Sequence, residues 1–377
     1  MVWQGPGTSH AAIAVPGVTL GPGDALVAVE LATICPDDAA TVLGVTGASV
    51  PLVLGHEQVG RVVAVGPDAT TSGGTRLVVG MRIVWSRRIG CGDCDSCRIG
   101  VTADCAAPRE YGADRLRRGW ELSGGFASHV LVRAGTTILT VPEVVPATVL
   151  APLSCATALA AAAVEHITQV VDVDGETVVV SGADLAGLTV TAMLADEGAH
   201  AVVVESDATR RSRALDFGAH GVAAGLDDLE RLIRSGRVPG AGSRGAGHRL
   251  DGPVAVVGSG ALASESWSGS SVWHSLAVVV RLAESPPPAA GYPEGSVSNG
   301  AGAPSSPWPD GTPVITLRRT EPRHLVTAVD FASNAWFRYP FGELVAARFP
   351  LERLDDALQA AAGEASALRI AVDPAVR

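Results

Sequence analysis

Lysine is absent from the 377 residues, so all 28 basic side chains are arginines. That absence excludes Schiff-base catalysis and a phosphate loop built on lysine. The arginines are outnumbered by 39 acidic residues, giving a net charge of −11. With no basic stripe, this balance argues against a nucleic-acid or anionic-membrane partner. Long uninterrupted hydrophobic runs are also missing. The most apolar stretch, 148–164, contains Pro152, Ser154, Cys155 and Thr157, and reads as a buried helix, not a membrane span. Residues 1–10 lack the basic start and apolar core of a secretory signal, so a cytoplasmic location is expected. No Gly-x-Ser-x-Gly elbow follows a strand, which argues against a serine hydrolase. Cysteine is scarce, with six residues, and four of them are closely spaced, which points to metal thiolates and not to disulfides.

A hydrophobic content of 47% with positive mean hydropathy supplies ample core, and the length suggests two domains. Up to about residue 145 the pattern is of short β-branched runs, at 26–31, 60–65, 82–85 and 128–132, broken by Gly and Pro turns. This predicts a small irregular β domain. Beyond Pro152 the period changes. An Ala-rich helix leads to a strand at 177–180, a glycine turn, a helix at 188–197, a strand at 201–204 and a helix near 209–217. That alternation predicts an α/β fold with a doubly wound parallel sheet. Further strands are expected at 253–257 and 276–280. Residues 285–313, dense in Pro, Gly and Ser, read as a long surface loop or disordered insert. The segment 323–372 regains two helices and a terminal strand. The expected domains are therefore 1–150, 151–320 including that insert, and 321–377 as a return to the first.

Cys91, Cys94, Cys97 and Cys105 form a Cys-x2-Cys-x2-Cys-x7-Cys run. Four thiolates at that spacing can close a tetrahedron around a structural zinc. The remaining two cysteines, Cys35 and Cys155, join His56 in a second plausible set. Two thiolates and an imidazole leave a fourth position for water, substrate oxygen or Glu57, as an open catalytic zinc requires. Spacing alone makes this second set weak, because a lone histidine is more often a core or surface residue than a ligand.

Cys-Pro-Asp-Asp at 35–38, Gly-His-Glu-Gln-Val-Gly at 55–60, the four-cysteine run and Ser-Cys-Ala-Thr-Ala at 154–158 occur in one order. In that order the chain resembles the zinc-dependent medium-chain alcohol dehydrogenases. The likeness weakens between about 220 and 320. Within the superfamily, residues 120–129 and 338–344 resemble the branch associated with phosphonate metabolism. The resemblance implies a GroES-like catalytic domain joined to a Rossmann domain, with two zinc ions per chain. It assigns Cys35, His56 and Cys155 to the catalytic zinc, with Glu57 as an occasional fourth ligand. It places Asp38 behind the imidazole, fixing its tautomer, although a turn or helix cap is an alternative role. Relatives commonly form dimers or tetramers, so a homo-oligomer acting on a small-molecule substrate is expected.

The turn 181–187 lies where a Gly-x-Gly-x-x-Gly dinucleotide fingerprint belongs. Gly182 and Gly187 take its first and third positions, and Asp184 replaces the middle glycine, where a carboxylate opposes the pyrophosphate. Glu205 follows at the end of the next strand, placed to hold the ribose of NAD and to disfavour NADP, or else simply solvated. The family usually carries Ser or Thr two residues after the first cysteine ligand and often His five residues after it. Here those positions are Asp37 and Ala40. Asp37 is a candidate general base in a new form, or a surface acid. Arg87, Arg88, Arg109, Arg115, Arg117 and Arg118 fall around the four-cysteine lobe and read mainly as solvated surface charges, though phosphonate would want such forks. His129 and Trp120 are pocket candidates by analogy, and His324 is expected as a helix cap or surface residue.

The leading expectation is a zinc-dependent, NAD(P)-linked oxidoreductase interconverting an alcohol and an aldehyde or ketone, on a phosphonate or other small polar substrate. The alternative is a non-redox zinc lyase, dehydratase or hydrolase that has lost nucleotide binding. A third reading is a non-catalytic zinc scaffold.

Overall fold

The computed structural model describes residues 1–99, 102–235, 252–259, 276–282, 311–317, 319–363 and 368–375, with 238, 273, 298–299 and 308. Most of the Pro-rich stretch 285–313 lies outside the described residues. Two compact units are present, one of residues 1–158 with 320–377, the other of 159–319.

Along the first unit run strands β1 (Ala25–Thr33), β2 (Glu57–Val65), β3 (Arg82–Ile89), β4 (Arg109–Glu110), β5 (His129–Val132) and β6 (Thr136–Thr140), with short helices α1 (Pro36–Val42), α2 (Asp95–Arg98) and α3 (Ala147–Leu150). Helix α4 (Ala156–Val170) then leads the chain into the second unit. There β7 (Thr177–Ser181), α5 (Leu185–Asp196), β8 (His200–Val204), α6 (Ala208–Asp216), β9 (Gly221–Ala223), α7 (Leu226–Arg234), β10 (Ala255–Ser259), β11 (Val278–Leu282), β12 (Ser298–Asn299) and β13 (Pro313–Leu317) follow. The chain returns through α8 (Pro322–Ala335), β14 (Val345–Pro350), α9 (Leu354–Gly363) and β15 (Arg369–Asp373).

In the first unit the sheet runs β14-β15-β1-β2-β3-β4, with β5 on β1 and β6 on β3. Alternate residues of β1 are buried, as expected of a strand with one face on a core. That core holds Trp3, Ile83, Trp85, Tyr111, Phe126 and Ile370. Tyr111 accepts a backbone N–H from Arg133 and shares a hydrogen bond with Thr136, so its buried hydroxyl is satisfied. Register matters most at the end of β1, where Thr33 pairs with Glu57 of β2 and with Ala371 of β15. Segments 35 and 56 therefore leave the sheet at one end, and Arg369 arrives beside Glu57.

In the second unit the order is β12-β13-β11-β10-β7-β8-β9, parallel except for the β12–β13 pair. Every residue of β7 is buried, as in a sheet covered on both faces. Strand order reverses at the β7–β10 boundary, the position at which doubly wound sheets bind ligands outside the carboxyl ends of their strands. The turn from β7 into α5 uses Gly182 at φ +93°, where a side chain would be strained. Gly187 lies against that turn, and a Cβ there would run into the Gly182 carbonyl oxygen. The sequence-predicted helices and strands of this unit fall within a few residues of the observed ones up to β8 and α6. The short helix α1 and strand β14 carry too little periodicity to be read in advance.

No single described helix is long and apolar enough to cross a membrane. The stretch 147–154 and helix α4 are bent by 61° at Cys155, and the N-terminal part of α4 is buried.

Gly187→Ala should destabilise the protein by about 1–3 kcal/mol, because backbone has to move to admit one methyl group. A lowered chemical-denaturation midpoint checks this, and an unchanged midpoint would contradict the packing at the turn.

Candidate metal centres and the dinucleotide turn

Cys35 is the N-cap of α1, with extended φ −76° and ψ 151°, and Pro36 opens the helix. Proline suits the first helical position because its missing N–H would be unpaired there anyway. Three residues on, Asp38 turns its carboxylate back. Its Oδ2 accepts the Cys35 N–H at 3.1 Å, and its Oδ1 accepts the Gly55 N–H at 3.3 Å and lies 3.4 Å from His56 Nδ1. Asp38 thus combines the two roles open to it in the sequence, as a cap in α1 and as the support behind the imidazole. Gly55 takes φ +95°, and a Cβ there would meet Phe126 at 2.8 Å, so only glycine sets His56 in this position. Cys155 sits at the break before α4, and the neighbouring Ser154 hydroxyl donates to the His56 carbonyl at 2.8 Å.

These constraints bring one ligand atom each of Cys35, His56 and Cys155 within 4.8 Å of one another. The Cys35 and Cys155 sulfurs are 3.9 Å apart. Two thiolates at about 2.3 Å from a tetrahedral zinc lie roughly 3.8 Å apart, so this donor set fits a zinc ion. Cys35 and His56 are buried and Cys155 is partly exposed, so the set opens on the Cys155 side. The hydrogen bond with Cys155, and then burial, push the Cys35 thiol well above its ordinary range. For His56, burial and the charge of Arg87 act downward, but the Asp38 carboxylate and Cys35 outweigh them and the imidazole is pushed up to about 10. Metal uptake at these donors therefore has to displace protons.

Cys91, Cys94, Cys97 and Cys105 form the second donor set, again with ligand atoms within 4.8 Å. Cys94 caps α2. Sulfur separations of 4.0 Å for Cys91–Cys97 and 3.9 Å for Cys94–Cys105 fit a closed tetrahedron. Backbone N–H groups of Ala106 and Cys97 hold the Cys94 thiol down at about 6. The Gly92 N–H favours a thiolate at Cys97, but burial and the neighbouring cysteines push that thiol up to about 12. Four thiolates cannot share this space without a cation to neutralise them.

Glu57 is used differently from the expectation of an occasional fourth ligand. Its carboxylate is buried and both oxygens are held by Arg369, at 2.9 and 3.0 Å, while Thr33 donates to it at 2.7 Å. It is not among the clustered donor atoms. A carboxylate committed to a buried guanidinium cannot turn to a metal without leaving that charge uncompensated. Asp37 pairs with Arg87 at 3.2 Å. Arg87 itself does not belong with the solvated arginines, because its side chain reaches the opening of the three-donor set, 3.4 Å from His56 Nε2. Trp120 is core, donating to the Leu131 carbonyl. His129 meets Ser128 at the start of β5. His324 accepts the Glu321 N–H at the start of α8, a capping role.

At the dinucleotide turn, Asp184 is the N-cap of α5, and its carboxylate accepts the Gly187 N–H at 2.8 Å. Glu205 accepts the Ala183 N–H at 3.0 Å. Gly182, Gly187 and Glu205 thus meet at this one turn. Asp184 weakens the turn's fit to a pyrophosphate, since it puts a carboxylate at the helix end whose dipole attracts anions.

The three-donor set beside a GroES-like sheet, together with the doubly wound sheet, defines the fold of the medium-chain dehydrogenases. An alcohol dehydrogenase from Thermotoga maritima has this fold, with a TM-score of 0.81, 22% identity and coverage of 99% of this chain and 98% of that one. Residues 21–143 match the alcohol dehydrogenase GroES-like domain. The chain is similar to the L-threonine 3-dehydrogenase of Edwardsiella ictaluri, 32% identical over 50% of this chain and 52% of that one. It is also similar to the 5-exo-hydroxycamphor dehydrogenase of Pseudomonas putida, 25% identical over 92% and 90%. The chain thus has the medium-chain dehydrogenase fold, and its residues 21–143 match the alcohol dehydrogenase GroES-like domain. Its matches to the D-altritol and L-threonine dehydrogenases span 32–56% of their lengths.

Glu57→Ala should cost about 3–5 kcal/mol in a urea melt, because Arg369 is left buried and unpaired. Zinc content of the folded variant should equal that of the wild type; a loss of one equivalent would make Glu57 a ligand after all.

Proposed function

We propose that the chain is a zinc-dependent, NAD(P)-linked oxidoreductase that interconverts an alcohol with an aldehyde or ketone. The observation that carries this is the convergence of Cys35, His56 and Cys155, buried at the back and open on one side. An open three-ligand set is what a catalytic zinc requires, whereas the four-cysteine set is closed. The dehydrogenase names of the relatives support the reading. The phosphonate branch of the superfamily rests on residues 120–129 and 338–344 alone.

When bound, zinc supplies Lewis acidity toward a substrate oxygen, and a nicotinamide supplies or accepts hydride. The chain's own residues do the rest. Asp38 fixes the backbone of Cys35 and Gly55 and orients the His56 imidazole. Arg369 and Thr33 keep Glu57 in place behind it. Asp37, linked to the opening through Arg87, is the carboxylate proposed to take the hydroxyl proton.

The Asp184 cap supports a second reading, a non-redox zinc enzyme in which nucleotide binding has been lost. Fluorescence titration with NADH and NADPH separates the two. Under the first reading the zinc-loaded protein binds one of them below millimolar concentration, and Asp184→Gly tightens binding about tenfold by removing a charge from the pyrophosphate position. Absence of binding by both wild type and Asp184→Gly would overturn the redox reading.

A further inference from the structure

Arg87 lies on β3, and its guanidinium stands at the open side of the three-donor set. Its Nη1 is 3.4 Å from His56 Nε2 and 3.2 Å from Asp37 Oδ2, and its Nε is 3.6 Å from Glu110 Oε2. The side chain is only 26% exposed. Asp37 accepts a hydrogen bond from Nη1 and Glu110 holds the other side by charge alone, so the two acids fix its position without using all of its N–H groups. Nε is buried without a hydrogen bond, and no described residue accepts from Nη2. Glu110 is shared with Arg88, whose Nε lies closer to it, at 3.0 Å.

Placement beside the donors is not needed to neutralise them. A divalent ion with two thiolates is already neutral, and Asp38 and Glu57 have partners of their own. Arginine presents a planar fork suited to carboxylates and phosphonates, and it is weakly hydrated enough to stand part-buried. A neutral alcohol would gain little from such a group, whereas an oxyanion on the carbon next to the reacting hydroxyl would meet the guanidinium charge and the N–H groups of Nη2, since Nη1 is engaged by Asp37 and His56 and Nε is buried.

We propose that Arg87 is a specificity-determining residue that holds a compact oxyanion, a carboxylate or a phosphonate, carried by the substrate beside its reacting hydroxyl. The proposal rests on the metal-centred reading above and narrows its substrate class to small hydroxy anions. Glu110 then serves as a positioning residue that keeps the guanidinium aimed at the opening, and Asp37, besides its proposed part as base, steadies Nη1.

The test uses the full-length protein with cobalt(II) in place of zinc, whose visible absorption reports ligands arriving at the open position. Glycolate, hydroxymethylphosphonate and the neutral ethylene glycol are titrated into wild type, Arg87→Met and Arg87→Lys. Wild type should bind at least one of the two anions roughly tenfold to a hundredfold more tightly than the glycol, the range expected for hydrogen bonds to a charged group. The tighter anion identifies the group. Arg87→Met should lose that preference while binding the glycol as wild type does, and Arg87→Lys should retain a weaker preference because it keeps charge without the fork. Equal affinities in a cobalt-loaded wild type, or a preference that survives in Arg87→Met, would overturn the proposal and leave the metal reading standing. Failure of cobalt to enter the Cys35, His56 and Cys155 set would overturn both. Because the wild-type comparison stands by itself, a poorly folding variant does not rescue the idea.

Discussion

A single buried carboxylate, Asp38, governs the geometry on which the proposed chemistry depends. It holds the backbone ahead of both Cys35 and His56 and stands behind the imidazole ring. A histidine that gives one nitrogen to a carboxylate is left with the other as a lone pair, the form in which imidazole binds metal. Burial makes this arrangement demanding, because a charge in the interior is tolerated only when its hydrogen bonds are met. The helix start at Pro36, the glycine at 55 and the β1–β2 register all serve that requirement.

The same sheet register explains the second buried charge. Pairing of β1 with both β2 and β15 at Thr33 brings Arg369 to Glu57 across 312 positions of sequence. Glu57 is thereby held by a guanidinium and a hydroxyl beside the donor set. The first unit thus contains two buried carboxylates close in sequence to the donors, each neutralised differently, and both brace the donor set without belonging to it.

The four-cysteine site could be read from spacing alone, since all its ligands lie within one short loop. The scattered set was legible only through the order of its motifs, because Cys35, His56 and Cys155 are brought together by sheet pairing and a helix break that no local pattern encodes. Asp38 could be anticipated from its place three residues after Cys35, the distance of a capping interaction. Arg369 could not, because its partner is remote in the chain. Arg87 looked like one of a group of surface arginines; what distinguishes it is the side of β3 it occupies near residue 56, a tertiary property. In the second unit the alternation of strand and helix between 177 and 217, with a glycine turn after the first strand, announced a doubly wound sheet. Asp184 was visible as a departure from the fingerprint, and the structure adds that it has a local use, capping α5.

The account is tested most directly by X-ray absorption at the zinc edge on fully loaded protein. Six cysteines and one histidine shared between two ions predict an average of three sulfurs and half an imidazole nitrogen per zinc, with sulfur at about 2.3 Å. A spectrum of four sulfurs and no nitrogen, from one zinc per chain, would show that Cys35, His56 and Cys155 hold no metal and would contradict the account.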